Sequence, residues 1–294
     1  MFYSIDTHII GKSHQISHKV LQDYSQSQVL FDQNHQPYAT VAVVCDGHGG
    51  EKYFLSHIGS KLACQITTKK LSCFARQFPT YSSLDNVFKN NIIDNLKLSI
   101  ISQWQKEVEK DWKEQATKIH QEQYQHNLGI PYGTTLLAVL VCKDYYLSCM
   151  LGDGCIIKMN QSTDSQDQLD IEPESFENKQ VYDEPHGVTD SLCAKNVYDA
   201  FHTKLEQCST TSRAFLLATD GFSEVYNQKI LLQKCRDLIE FCATNQDYSD
   251  TKNGITNFLQ QVANRNDDAD DTSLAIVGRN IGQLFKQKQS ISTP

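Results

Sequence analysis

The residues with the clearest chemical potential form the run Asp46-Gly47-His48-Gly49-Gly50. A carboxylate followed at once by glycines can reach a metal ion or a phosphate, because the loop has little side-chain bulk and lets backbone groups come close. His48 adds a group that exchanges protons near neutral pH. The pattern recurs along the chain. Residues 215–220 and 147–153 are mainly apolar runs that end in Asp220 and Asp153 and continue into Gly221 and Gly154, while Asp270 and Asp271 stand just before the run 272–277. A single Asp-Gly turn is an ordinary way to end a strand. Repeated at several strand ends, it becomes a site hypothesis: carboxylates gathered on one sheet edge offer the oxygen ligands that Mg²⁺ or Mn²⁺ prefers.

Each acid needs an element to hold it. Residues 41–45 are short, uncharged and Val-rich, which fits a buried strand ahead of Asp46. Residues 134–142 and 145–151, joined by Lys143-Asp144, read as a β-hairpin, and 156–159 as a further short strand. Residues 2–10 alternate in part and lead as a strand to Gly11, while polar 25–38 reads as a hairpin or loop. Helical spacing predicts helices over 50–70, 228–243 and 251–263, and a long helical region over 84–126 in which Leu84, Phe88, Ile92, Leu96 and Ile100 recur every four residues and Ile101, Trp104 and Val108 extend the apolar face. Leu192, Val197 and Phe201 mark a strand–helix piece before Phe215. Residues 160–187, the most polar stretch, read as a flap beside the site.

Composition bounds the function classes. Of 294 residues, 39% are hydrophobic and 21% charged, as in an ordinary globular chain. The net charge of −8 and pI near 5.7 disfavour nonspecific binding to nucleic acid or an anionic membrane. The ten cysteines include no C-x-x-C pair, and several lie inside apolar runs, which points to reduced core thiols of a cytoplasmic protein and against a zinc site. No secretory signal opens the sequence, and its longest strongly apolar run, 134–142, is too short to span a bilayer.

In order, GKSH at 11–14 with Gln22-Asp23, DGHGG at 46–50, GTT at 133–135, GD at 152–153, ATDG at 218–221 and DDTSLAIV at 270–277 resemble the successive motifs of the protein phosphatase 2C family, with the opening of a bacterial branch. The resemblance implies a mixed α/β fold (α+β type) of two packed, mainly antiparallel β-sheets flanked by helices. That domain covers 1–279 and precedes a polar tail, 280–294. It implies hydrolysis of phosphoserine and phosphothreonine in proteins by water activated at a binuclear Mg²⁺ or Mn²⁺ centre. By the family's pattern, Asp46 bridges both ions and Gly47 gives a carbonyl. Asp23, Asp220 and Asp270 are further ligands, and Asp153 helps hold a third ion. Asp271 then takes the neighbouring slot. His48 is the general acid for the alkoxide leaving group, with a loop brace as its alternative role. Ser13 and His14 either bind phosphate or order Asp23.

The expected partners are phosphorylated proteins and a cognate serine/threonine kinase, and the expected enzyme is a monomer. Two departures stand out. Many eukaryotic members carry an Arg before the opening acids that anchors the substrate phosphate; here no Arg precedes Asp23, Gln22 stands where Glu would be, and Lys12, Lys19 or Ser13 remain as anchors. The GDSR pattern of many relatives is GDGC at 152–155. A pseudophosphatase acting as a binding module and a hydrolase of another phosphoester are the alternative readings.

Overall fold

A computed structural model describes residues 1–84, 88–161, 169–176, 189–208, 212–245 and 247–285. In chain order the elements are β1 (Phe2–Ile9), α1 (Lys12–Ile16), β2 (Tyr24–Phe31), β3 (Pro37–Cys45), α2 (Ser56–Gln77), α3 (Lys89–Gln115), α4 (Lys118–Gln123), β4 (Leu136–Val141) and β5 (Tyr145–Leu151). They continue with β6 (Cys155–Gln161), β7 (Leu169–Pro173), α5 (Val197–Ala200), β8 (His202–Gln207), β9 (Arg213–Ala218), α6 (Asp220–Ser223), α7 (Gln228–Thr244), α8 (Tyr248–Ala263) and β10 (Thr272–Arg279). The strands form two five-stranded sheets, ordered β1-β10-β9-β6-β7 and β2-β3-β4-β5-β8. Every strand pair in them is antiparallel. The expected pair of packed antiparallel sheets is present.

The uncharged runs are strands buried on both faces, and alternation assigns each side chain to a layer. On β3, Val41, Val43 and Cys45 face a core shared with α2 and α3, whereas Ala42 and Val44 face the other sheet. On β9, Ala214, Leu216 and Ala218 meet α7 and α8, and Phe215 and Leu217 fill the space between the sheets. The result is helix, sheet, sheet, helix in four layers.

Several predicted boundaries move. The helix expected over 50–70 begins only at Ser56, after a 3₁₀ turn at Glu51–Tyr53, and runs to Gln77. The region expected over 84–126 is two helices, broken at Ala116, with Thr117 capping the second through its side chain. The buried stripe of α3 is Ile93, Leu96, Ile100, Ile101, Trp104, Val108 and Trp112, while Phe88 stays exposed. A strict four-residue repeat drifts off a face that turns every 3.6 residues. Polar 25–38 resolves into β2, a turn and the start of β3, with the Leu30/Phe31 register shifted. From the expected flap, β6 runs to Gln161 and β7 lies at Leu169–Pro173; residues 162–168 and 177–188 fall outside the described residues. Within the stretch assigned to the tail, Ile281 and Leu284 are buried beside α7, and 286–294 lie outside the described residues.

Strand register brings the acids together. Tyr24 pairs with Cys45, so Asp23 enters one sheet where Asp46 leaves it. Leu136 pairs with Leu151, setting Asp153 at the same end. In the other sheet Ala218 pairs with both Leu274 and Cys155, which puts Asp220 and the Asp270-Asp271 pair on the matching edge.

Candidate active site

Asp46 is fixed through its backbone by the GTT segment. Its amide donates to Thr135 Oγ1 at 2.9 Å, and its carbonyl accepts from the Thr135 amide and the Thr134 hydroxyl, both at 2.8 Å. The two threonines thus hold the loop that carries the acid. The amide of His48 donates to the Gly133 carbonyl, so the bridge opposite Thr134 uses the groups flanking Gly47 and leaves the Gly47 carbonyl out of the pairing. No side chain fits at Gly47: an added Cβ would stand 2.5 Å from the Gln22 carbonyl oxygen and 2.9 Å from that of Ser56.

One carboxylate oxygen from each of Asp46, Asp153 and Asp220 lies within 4.8 Å of the others. Asp153 is also gripped by Thr189, whose hydroxyl donates to it at 2.6 Å. Burial, with Asp23 and Asp220 nearby, holds the Asp46 carboxyl well above the usual carboxylate range. Asp220 is pushed up by burial and by Asp153 and Asp270, partly offset by a hydrogen bond with Asp46. Like charges crowded in a half-buried space disfavour their own ionisation until a cation compensates them. This oxygen-only donor set fits a hard divalent cation.

Asp23 lies behind this group. It is buried, accepts from the Thr219 hydroxyl at 2.9 Å across the two sheets, and burial raises its pKa, with Asp271 adding to the rise. The neighbouring acids divide their work. Asp271 is buried and its oxygens accept from the amides of Gly11 at 2.8 Å and Gln22 at 2.6 Å, with His14 Nδ1 at 3.0 Å. The Asp270 side chain is 61% exposed, 3.7 Å from His14 Nε2, and its charge acts on Asp46, Asp220 and Asp23. His14 is buried against this pair, and the hydrogen bond to Asp271 raises its pKa. Ser13 sits in α1, where its amide donates to the Ala269 carbonyl. The buried Gln22 side chain ties the opening segment to Ser56 at 2.6 Å and to the His48 carbonyl at 3.2 Å.

His48 has a packing partner that the sequence did not reveal. Its ring lies 4.9 Å from that of Tyr53, and both crowd Gly133, where an added Cβ would stand 2.8 Å from each ring. Burial pushes the imidazole pKa down; Asp153 opposes this and Lys52 adds to it. The structure therefore unites Asp46, Asp153 and Asp220, sets Asp23 behind them, and places Asp270, His14 and Asp271 at one side.

A protein-family profile described as "Protein phosphatase 2C" matches residues 10–263. A search of curated proteins gave no match. Among solved structures the chain resembles a bacterial serine phosphatase at 15% identity and TM-score 0.55, covering 95% of this chain and 98% of that one. It also resembles the serine/threonine phosphatase Stp1 from Staphylococcus aureus at 14% and 0.54, covering 95% of each. A third is the catalytic domain of the serine threonine protein phosphatase PstP, in complex with two manganese ions, at 14% and 0.53, covering 95% and 97%. At such identities these likenesses speak for the fold. The profile spans most of the sequence, and the chain belongs to the protein phosphatase 2C family of serine/threonine phosphatases.

Proposed function

We propose that this enzyme hydrolyses phosphoserine and phosphothreonine in proteins and depends on two divalent cations, Mg²⁺ or Mn²⁺. The observation that carries the reading is the convergence of Asp46, Asp153 and Asp220 from three separate strand ends, where burial and neighbouring carboxylates raise the pKa values of Asp46 and Asp220. Asp46, the Gly47 carbonyl, Asp220 and Asp270 would hold the two ions, Asp23 would act from behind Asp46, and Asp153 would serve a third. The two manganese ions of the PstP catalytic domain support the number of cations and their type. Such ions, when bound, neutralise phosphoryl oxygens and acidify the attacking water.

The chain's own residues do the rest. Thr134 and Thr135 fix the Asp46 backbone, and Asp271 with His14 fastens the opening segment beside Asp270. His48, on the rim beside Asp153, donates the proton that a serine or threonine alkoxide needs on departure. A panel of phosphoserine, phosphothreonine and phosphotyrosine peptides, assayed with Mn²⁺ and then with a chelator, tests the reading. Phosphate release from the first two, lost with chelator, is expected. Peptide binding without release would instead make the chain a binding module, and release only from small phosphoesters would change the substrate class.

A further inference from the structure

A phosphomonoester dianion entering this site meets carboxylates on several sides, and a protein cation would help the bound metal ions receive it. The opening segment has no Arg, and Lys19 acts on His14, at the Asp270 side. A different cation stands over the aromatic ring that packs against His48. Lys52 lies in the 3₁₀ turn Glu51–Tyr53, directly after the glycine-rich loop. It is exposed, with Nζ 4.7 Å from the centroid of the Tyr53 ring, and that ring is 4.9 Å from His48. Among the described residues no carboxylate lies within ion-pair distance of it.

The turn is anchored on both sides of Lys52. Across it, the Tyr53 amide donates to the Gly50 carbonyl and closes the turn. After it, Phe54 packs 4.7 Å from His120 and faces Trp112 and Tyr124, and the Leu55 amide donates to the Pro131 carbonyl. The backbone is therefore held in place while the ammonium stays open to solvent over an aromatic face, an arrangement that keeps a cation extended without neutralising it.

We propose that Lys52 anchors the substrate phosphate, its ammonium held over Tyr53 beside His48 and donating to the phosphoryl oxygens as the leaving group meets the imidazole. A lysine suits this position because a compact ammonium with three donors tolerates the rotation of a phosphoryl group. The assignment rests on the phosphatase reading above, so its test includes a readout independent of turnover.

Inorganic phosphate is titrated calorimetrically into the Mn²⁺-loaded full chain, alongside steady-state kinetics on a phosphoserine peptide. Lys52→Gln should raise the phosphate Kd and the peptide KM roughly ten- to a hundredfold, as expected for one lost charge-assisted hydrogen bond. Its kcat and Mn²⁺ affinity should change little, and Lys52→Arg should recover most of the binding. Lys19→Gln should have the smaller effect. Unchanged phosphate affinity in Lys52→Gln, a larger loss in Lys19→Gln, or no phosphate binding by the wild type would each overturn the assignment. A wild type that binds phosphate through Lys52 without hydrolysing phosphopeptides would sink the phosphatase reading and leave the anion site standing.

Discussion

His14 Nδ1 lies 3.0 Å from Asp271 Oδ2, and the same carboxylate accepts the backbone amides of Gly11 and Gln22. Asp271 is thus fully engaged in fastening the opening segment, while Asp270, one residue earlier, keeps an exposed carboxylate on the site side.

The two acids should therefore fail differently. Asp270→Ala should weaken Mn²⁺ binding and turnover with little change in the melting temperature of the metal-free protein. Asp271→Ala strands a buried histidine and two amides and should cost about 3–5 kcal/mol of stability. Because the pair raises the His14 pKa above 6.5, its contribution is fully present below pH 6.5 and fades as pH rises through the folded-state value. Denaturant melts of both variants across pH check this. Equal Mn²⁺ affinities for the two would reverse the assignment.

Asp46→Asn should abolish turnover and raise the stability of the metal-free protein. Burial and like charges raise the Asp46 and Asp220 pKa values. The native state then binds more protons than the unfolded chain, so metal-free stability falls as pH climbs from about 4 toward neutrality. Removing one charge flattens that slope, and Mn²⁺ should do the same for the wild type. Thermal melts in chelator and in Mn²⁺, at several pH values, measure both effects.

His48 as general acid predicts a loss that depends on the leaving group. His48→Gln should slow a phosphoserine peptide by roughly a hundred- to ten-thousandfold and p-nitrophenyl phosphate far less, since nitrophenolate departs unprotonated. The contact with Tyr53 gives the brace role a physical basis. Equal losses in kcat/KM on both substrates would assign His48 to that role.

Gly47→Ala should destabilise the fold by about 1–3 kcal/mol, because the new methyl meets two backbone carbonyls that cannot swing away. Gly49→Ala, with nothing within 4 Å of the added carbon, should melt near the wild-type temperature.

The sequence alone determined the strands and the acids at their ends. A strand buried on both faces must be apolar at every position, so residues 41–45, 136–141 and 215–218 announce themselves locally, and Asp46 and Asp220 follow the first and the last of them directly or by one residue. The ordered motifs extended this to the family and its two sheets. The tertiary structure decided what depends on partners distant in the chain. Asp270 and Asp271 are chemically identical neighbours, and in the fold His14 and the amides of Gly11 and Gln22, the latter two 260 and 249 residues away from Asp271, distinguish the buried latch from the exposed acid. Of the residues expected along α3, Leu96, Ile100, Ile101, Trp104 and Val108 are buried, while Phe88, on the strict four-residue repeat, is left outside the face that meets α2 and the sheet. Lys52 reads as one more surface lysine until the packing of Tyr53 against His48 and of Phe54 against His120 fixes where its ammonium stands. Local periodicity encodes burial, whereas the direction of a polar side chain is set by contacts that exist only once the chain has folded.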